Sequence, residues 1–155
     1  LAGLRSYCFD TETDNLDLQK AELVGLSFSW KRHTGWYVPV PAGREAAQVV
    51  AERFRAVLED ERITKVAQNL KYDMLVMERY GISVQGPQFD TMLAHFLLES
   101  DLRHGMDYIA ETILRYRPKP STDLIGPIGK KQKNMRDVPL EVVAEYAAED
   151  ADITW

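Results

Sequence analysis

The segment CFDTET, residues 8–13, places Asp10 and Glu12 two positions apart inside an apolar, strand-like run. Residues i and i+2 of a strand point to one face, so the two carboxylates converge. Like charges that close repel, and one of the pair holds a proton unless a cation sits between them. Taken alone, the pair is equally consistent with the solvated end of a strand. Two further spacings are of the same kind. Tyr146 and Asp150 lie four residues apart, on one face of a helix whose buried side carries Val143, Ala147 and Ile153. In QNLKYD (68–73), Asn69 is expected to cap a helix and Asp73 to lie in its first turn, a local role that suffices to explain both.

The elements that must position these groups follow from periodicity. RSYCFDTET (5–13) reads as a first strand, AELVGLSFSW (21–30) as a second and WYVPV (36–40) as a third, with Pro39 placing it toward an edge. The three form an antiparallel meander. From Gly43 the period lengthens: Ala46, Val49, Val50, Phe54, Val57 and Leu58 mark an amphipathic helix. A short strand at 63–69 is followed by helices at 70–81, closed by Gly81, at 89–100, capped by Asp90, and at 105–116. Residues 117–137, rich in Pro, Gly and Lys, form a long excursion before a last helix that begins near Pro139. Strands first and helices later predict an α/β domain, a central mixed sheet (the meander plus a parallel strand) flanked by helices.

The 155 residues fit one domain, 1–155, with a sizeable core. No apolar run reaches the roughly 18 residues of a membrane span, so no membrane partner is expected. The N-terminal residues lack the pattern of a signal peptide, and the single cysteine, Cys8, has no internal disulfide partner; both fit a reducing cytoplasm. The net charge of −5 is unusual for a domain that binds nucleic acid by charge alone. The chain opens with almost no lead-in and stops inside a helical pattern, as a fragment of a longer polypeptide would.

Asp-x-Glu on a first strand, Asn-x-x-x-Asp at a strand-to-helix junction and Tyr-x-x-x-Asp on a late helix together resemble the three motifs of the 3′–5′ exonucleases that use four acids and a tyrosine. The flanks FDTETDNLD, LVGLSFS, VAQNLKYD, FDTMLAHFLLES and EYAAEDADIT look like the proofreading exonuclease domain of bacterial DNA polymerase I, family A, over nearly the whole chain and in order. The resemblance implies an RNase H-like fold. It further implies that Asp10, Glu12, Asp73 and Asp150 bind two divalent metal ions, that Tyr146 orients the attacking water, and that the substrate is the 3′ end of single-stranded or frayed DNA. The product would be a nucleoside 5′-monophosphate. The partner would be a polymerase domain of the same longer chain, with the protein a monomer.

This ligand set has a chemical logic. Four carboxylates without Cys or His select Mg²⁺ or Mn²⁺ over zinc. Two such ions about 3.5–4 Å apart can hold both the attacking and leaving oxygens of an in-line phosphoryl displacement. They would also take the net charge from −5 to −1, answering the charge anomaly. Candidate substrate contacts are Thr11, Leu16 (whose position wedges against terminal bases in this family), Gln68, Asn69 and Tyr72. Lys130, Lys131, Lys133 and Arg136 form either a solvated loop or a patch that guides the strand. Residues 121–126 lack the aromatic residue that relatives often carry there. His33, His95 and His104 share no ligand spacing. Two rivals remain: a catalytically idle RNase H-like module that braces a polymerase or only binds DNA, and an RNA exonuclease of the RNase D kind.

Overall fold

The computed structural model describes residues 1–127, 129 and 132–155. Strands β1 (Ser6–Thr13), β2 (Leu23–Lys31), β3 (Thr34–Pro39), β4 (Thr64–Ala67) and β5 (Gln88–Asp90) form one sheet in the order β3-β2-β1-β4-β5. The first three pair antiparallel; β4 on β1 and β5 on β4 are parallel. Helices α1 (Arg44–Glu52), α2 (Arg55–Leu58) and α3 (Leu70–Glu78) follow the meander and β4. Then come α4 (Thr91–Leu98), α5 (Met106–Ile109), α6 (Ser121–Ile125) and α7 (Leu140–Thr154). The expected meander, parallel strand and flanking helices are all present.

The two faces of the sheet differ in residue size. Tyr7, Phe9, Leu26 and Phe28 pack on one face against Ala47 and Ala51 of α1, Leu58 of α2, and Val76 and Met77 of α3. The other face carries Cys8, Asp10 and Glu12 on β1, and their partners across β2 are Ser29, Ser27 and Gly25. These small residues let α7 lie low over the sheet. The closest approach is at Gly35 of β3, where an added Cβ would stand 2.1 Å from the Ala148 carbonyl oxygen of α7. Gly25 serves similarly beneath the ring of Tyr37, 2.1 Å from the position of an added Cβ. Ala147 and Ala151 complete the seam from the helix side, both fully buried.

Several elements depart from the periodicity reading. The helix expected from Gly43 is two helices, because three-residue turns at Arg53 and Phe54 redirect the chain and bring Phe54 to stack on Phe28 at 5.0 Å. Its contact face is also turned: Ala47 and Ala51 are buried, and Ala46 and Val49 face solvent. The segment 89–100 begins as strand β5 before becoming α4. The segment 105–116 widens into a π-helical turn at Ala110–Leu114. The excursion contains α6 and a 3₁₀ turn, Met135–Asp137. Helix α4 is apolar almost all round, yet among its residues only His95 is buried, leaving Leu93, Phe96, Leu97 and Leu98 exposed.

Asp90 does cap α4, accepting from the N–H groups of Met92 (2.8 Å) and Leu93 (3.3 Å). It also accepts from Asn69 N–H (3.1 Å) and Leu70 N–H (2.9 Å), so it caps α3 as well. Asn69 stands at the cap position of α3 in the left-handed region, at φ 59°, but its side chain makes no capping bond. The cap expected of Asn69 is supplied from the neighbouring strand instead.

Since Gly35 has no room for a methyl group on the α7 side, Gly35→Ala is expected to cost about 1–3 kcal/mol by forcing the helix outward. Urea denaturation of the variant beside the parent measures this, and unchanged stability would show that α7 is not held against β3 there.

Candidate active site

β1 runs past the end of β4. Pairing stops at Cys8–Val66, and the chain of β4 turns at Gln68 and Asn69 into α3. The Thr11 N–H, left without a strand partner on that side, is taken by Asp73 from the first turn of α3, at 2.9 Å, and the Thr11 hydroxyl donates to the same oxygen at 2.6 Å. Asp73 is thereby fixed beside β1 with only 2% of its surface exposed. From the opposite side α7 brings Asp150, also buried, and Tyr146, half-buried one turn earlier. Glu12 is buried and Asp10 half-buried on the strand between them.

The electrostatics reflect this convergence. Burial, then the charges of Asp73, Glu12 and Asp150, push the Asp10 carboxyl well above its ordinary range. Burial, with Asp150 and Asp73, raises Glu12 to about 8. Burial raises Asp73 to about 7 against the lowering effect of its bonds from Thr11. Burial raises Asp150 to about 7, partly countered by the neighbouring Tyr146 hydroxyl. Burial and the charges of Asp150 and Glu12 hold the Tyr146 phenol above its usual value. Burial, then the charges of Asp10, Asp73 and Asp150, raise the Cys8 thiol, which makes it an inert strand residue.

Every charge that shifts these four acids is another carboxylate, and none of them joins an ion pair among the described residues. As the side chains stand, no three His, Cys, Asp or Glu among the described residues form a ready-made cation cage. Asp73, for one, is turned into Thr11. The fit to divalent cations is therefore one of donor chemistry: hard oxygens, buried, mutually repelling and without a counter-charge. A second observation agrees. The Ser27 hydroxyl, across from Asp10 on the same face, is fully buried and without a hydrogen-bond partner, the position of a group that a hydrated ion would complete.

A cleft of about 540 Å³ opens over this floor, its lining including Thr11, Glu12, Leu16, Tyr72 and Tyr146 together with Gln132, Lys133 and Asn134. Leu16 is 76% exposed at its rim. The Tyr72 hydroxyl bonds Thr13 Oγ1 (2.8 Å) and the Asn15 carbonyl (3.1 Å), fixing that rim. Of the five candidate substrate contacts, Thr11, Leu16 and Tyr72 border the cleft. Gln68 lines a separate apolar cavity and donates to the His104 carbonyl at 2.7 Å, and Asn69 gives its backbone to Asp90.

Three features were out of reach of motif spacing. Glu149 and Asp152, which the helical wheel turns toward water, are engaged: Glu149 accepts from the Tyr116 hydroxyl and from Lys119 N–H, and Asp152 from Thr34 N–H at 3.1 Å. Arg136 is a staple, its guanidinium donating to the carbonyls of Leu23 (2.6 Å) and Val40 (3.0 Å). His95 and His104, which share no ligand spacing, bond each other through their Nδ1 atoms at 2.7 Å. Lys130 and Lys131 lie outside the described residues.

The acids raise a stability question with a definite sign. Carboxylates that titrate near 4 in the unfolded chain titrate near 7–8 in the fold, so folding takes up protons between those values. Their contribution is full below the unfolded value and lost as pH rises through about 7–8. The expected result is a Tm in EDTA that falls from about pH 5 to about pH 8, is restored at the upper pH by Mg²⁺, and is raised there by Glu12→Gln. Calorimetry of the protein and this variant checks it; a flat profile would contradict the clustering.

The protein-family model described as "3'-5' exonuclease" matches residues 1–155. The DNA polymerase I of Rhizobium leguminosarum is 37% identical over 170 residues, covering 94% of this chain and 16% of the relative. That of Pseudomonas aeruginosa is 36% identical over 156 residues, covering 94% and 17%. The chain thus spans about a sixth of the length of these relatives. Among solved structures, Brucella melitensis NrnC bound to pGG matches with a TM-score of 0.75 at 23% identity, over 98% of this chain and 69% of that one. The same protein with bound Mg²⁺ matches at 0.74, 23% identity and the same coverage. The expected RNase H-like α/β fold is borne out.

Proposed function

The chain belongs to the 3′–5′ exonuclease domain family of DNA polymerase I, and we propose that it removes nucleoside 5′-monophosphates from the 3′ end of single-stranded or frayed DNA. The observation that carries this reading is the convergence of Asp10, Glu12, Asp73 and Asp150 beside Tyr146, each raised by burial together with neighbouring charge. The four acids would hold two divalent cations, Mg²⁺ or Mn²⁺, which supply Lewis-acid activation of the water and of the scissile phosphate. The domain works within a longer polymerase chain, as a cytoplasmic monomer, and corrects misincorporated 3′ ends during replication and repair.

The chain's own residues do the positioning. Tyr146 keeps its proton across the neutral range, because burial and the charges of Asp150 and Glu12 oppose its ionisation. It therefore holds the attacking water by hydrogen bonds and does not take its proton. Glu12, on the strand beside it, accepts a second hydrogen bond from that water. Asp73 is oriented by the two Thr11 bonds, so Thr11 shapes the site without touching the reacting atoms. Leu16, exposed at the rim, and Tyr72, behind it, offer apolar surface on which the terminal bases rest.

A 5′-labelled single strand incubated with Mg²⁺ or Mn²⁺ is expected to give a ladder shortening from the 3′ end, abolished by EDTA and by Asp10→Ala. Tyr146→Phe is expected to lower the single-turnover rate on the order of 100-fold. Binding without a ladder would favour an idle module, and equal or faster loss of an RNA strand of the same sequence would favour an RNA exonuclease.

A further inference from the structure

We propose that Lys133 holds the phosphate one nucleotide to the 5′ side of the scissile one. The inference rests on the exonuclease reading for the place of the scissile phosphate, and on the wall of the cleft for the rest. Part of the lining, Gln132 to Met135, is built by the last part of the long excursion. Met135 is buried against Val24 and Val143. Arg136 is stapled to the carbonyls of Leu23 and Val40. The Lys133 N–H donates to the Ile125 carbonyl at 2.8 Å, tying the segment to α6. Lys133 thus stands two residues before a buried anchor, with its backbone fixed and its side chain exposed.

Among the described residues lining the cleft, Lys133 is the one cation, and it joins none of the ion pairs among the described residues. The same lining carries Glu12 and Asp14, which repel a nucleic-acid backbone. A 3′-terminal nucleotide bears no phosphate beyond its scissile one, so every non-reacting phosphate lies to the 5′ side. The first of these must cross the acid-lined cleft as the strand leaves the site. A flexible ammonium in that lining meets it as a point charge, which is how lysine recognises phosphate. Arg136, engaged by two carbonyls, is not available for this.

The test uses single strands carrying one uncharged methylphosphonate at that phosphate, read by KM and kcat for the protein, Lys133→Gln and Lys133→Arg. Removing either charge alone is expected to raise KM about tenfold with kcat little changed. Removing both should raise it no further, and Lys133→Arg should restore the ordinary value. Additive losses, or a loss confined to kcat, would overturn the assignment. If no strand is shortened, the exonuclease reading falls, and fluorescence anisotropy of the same strands in Ca²⁺ completes the same cycle. Non-additive binding losses then still support the Lys133 contact, and additive ones reject it.

Discussion

Mutual repulsion among buried carboxylates is the constraint from which the rest of this structure follows. Four acids converge around the end of β1, Asp10, Glu12 and Asp150 on the α7 face and Asp73 at the strand's edge, where burial weakens the screening that water would give. The chain tolerates this by anchoring each acid separately. Asp10 and Glu12 are held by strand geometry, Asp73 by the unpaired edge of Thr11, and Asp150 by a helix clamped to the sheet. None of the four is relieved by a lysine or arginine within the described ion pairs. Such crowding is kept at a cost in stability as pH rises, a trade common at functional sites.

The clamp itself is a matter of size. A helix can bring a carboxylate to a sheet only if the intervening layer is thin. Gly25, Ser27, Ser29 and Gly35 make the sheet surface shallow, and Ala147, Ala148 and Ala151 do the same for α7. On the opposite face Phe9, Phe28 and Leu26 build an ordinary thick core. The sheet therefore separates a layer that supplies stability from a layer that supplies proximity.

The sequence exposed the acids and the strand and helix that carry them, because two-residue and four-residue spacings state which side chains share a face. The meander and the parallel strand were legible for the same reason. Roles set by long-range contact were not. Asn69 has the residue type of a cap, but Asp90, twenty-one residues on, reaches its helix first. Glu149 and Asp152 face outward on a helical wheel and are claimed by segments that no wheel contains. The π-helical turn at Ala110–Leu114 has the same apolar period as an α-helix over so few residues. A subtler signal lies in β2, where Gly25, Ser27 and Ser29 alternate with Leu26 and Phe28. Residue size alone marks one face of that strand as shallow, and so as the face a helix can approach.

Asp90 ends β5 and starts two helices with one carboxylate. The beginning of α3, which carries Asp73, and the beginning of α4, which carries the exposed apolar surface, are therefore not independent pieces of the molecule. When that carboxylate lets go, both helix starts lose their cap in the same event, and the amides of Leu70 and Met92 should exchange with solvent as a single cooperative unit. Through this shared hinge pin, the start of the apolar helix α4 is coupled to the start of the helix that carries Asp73.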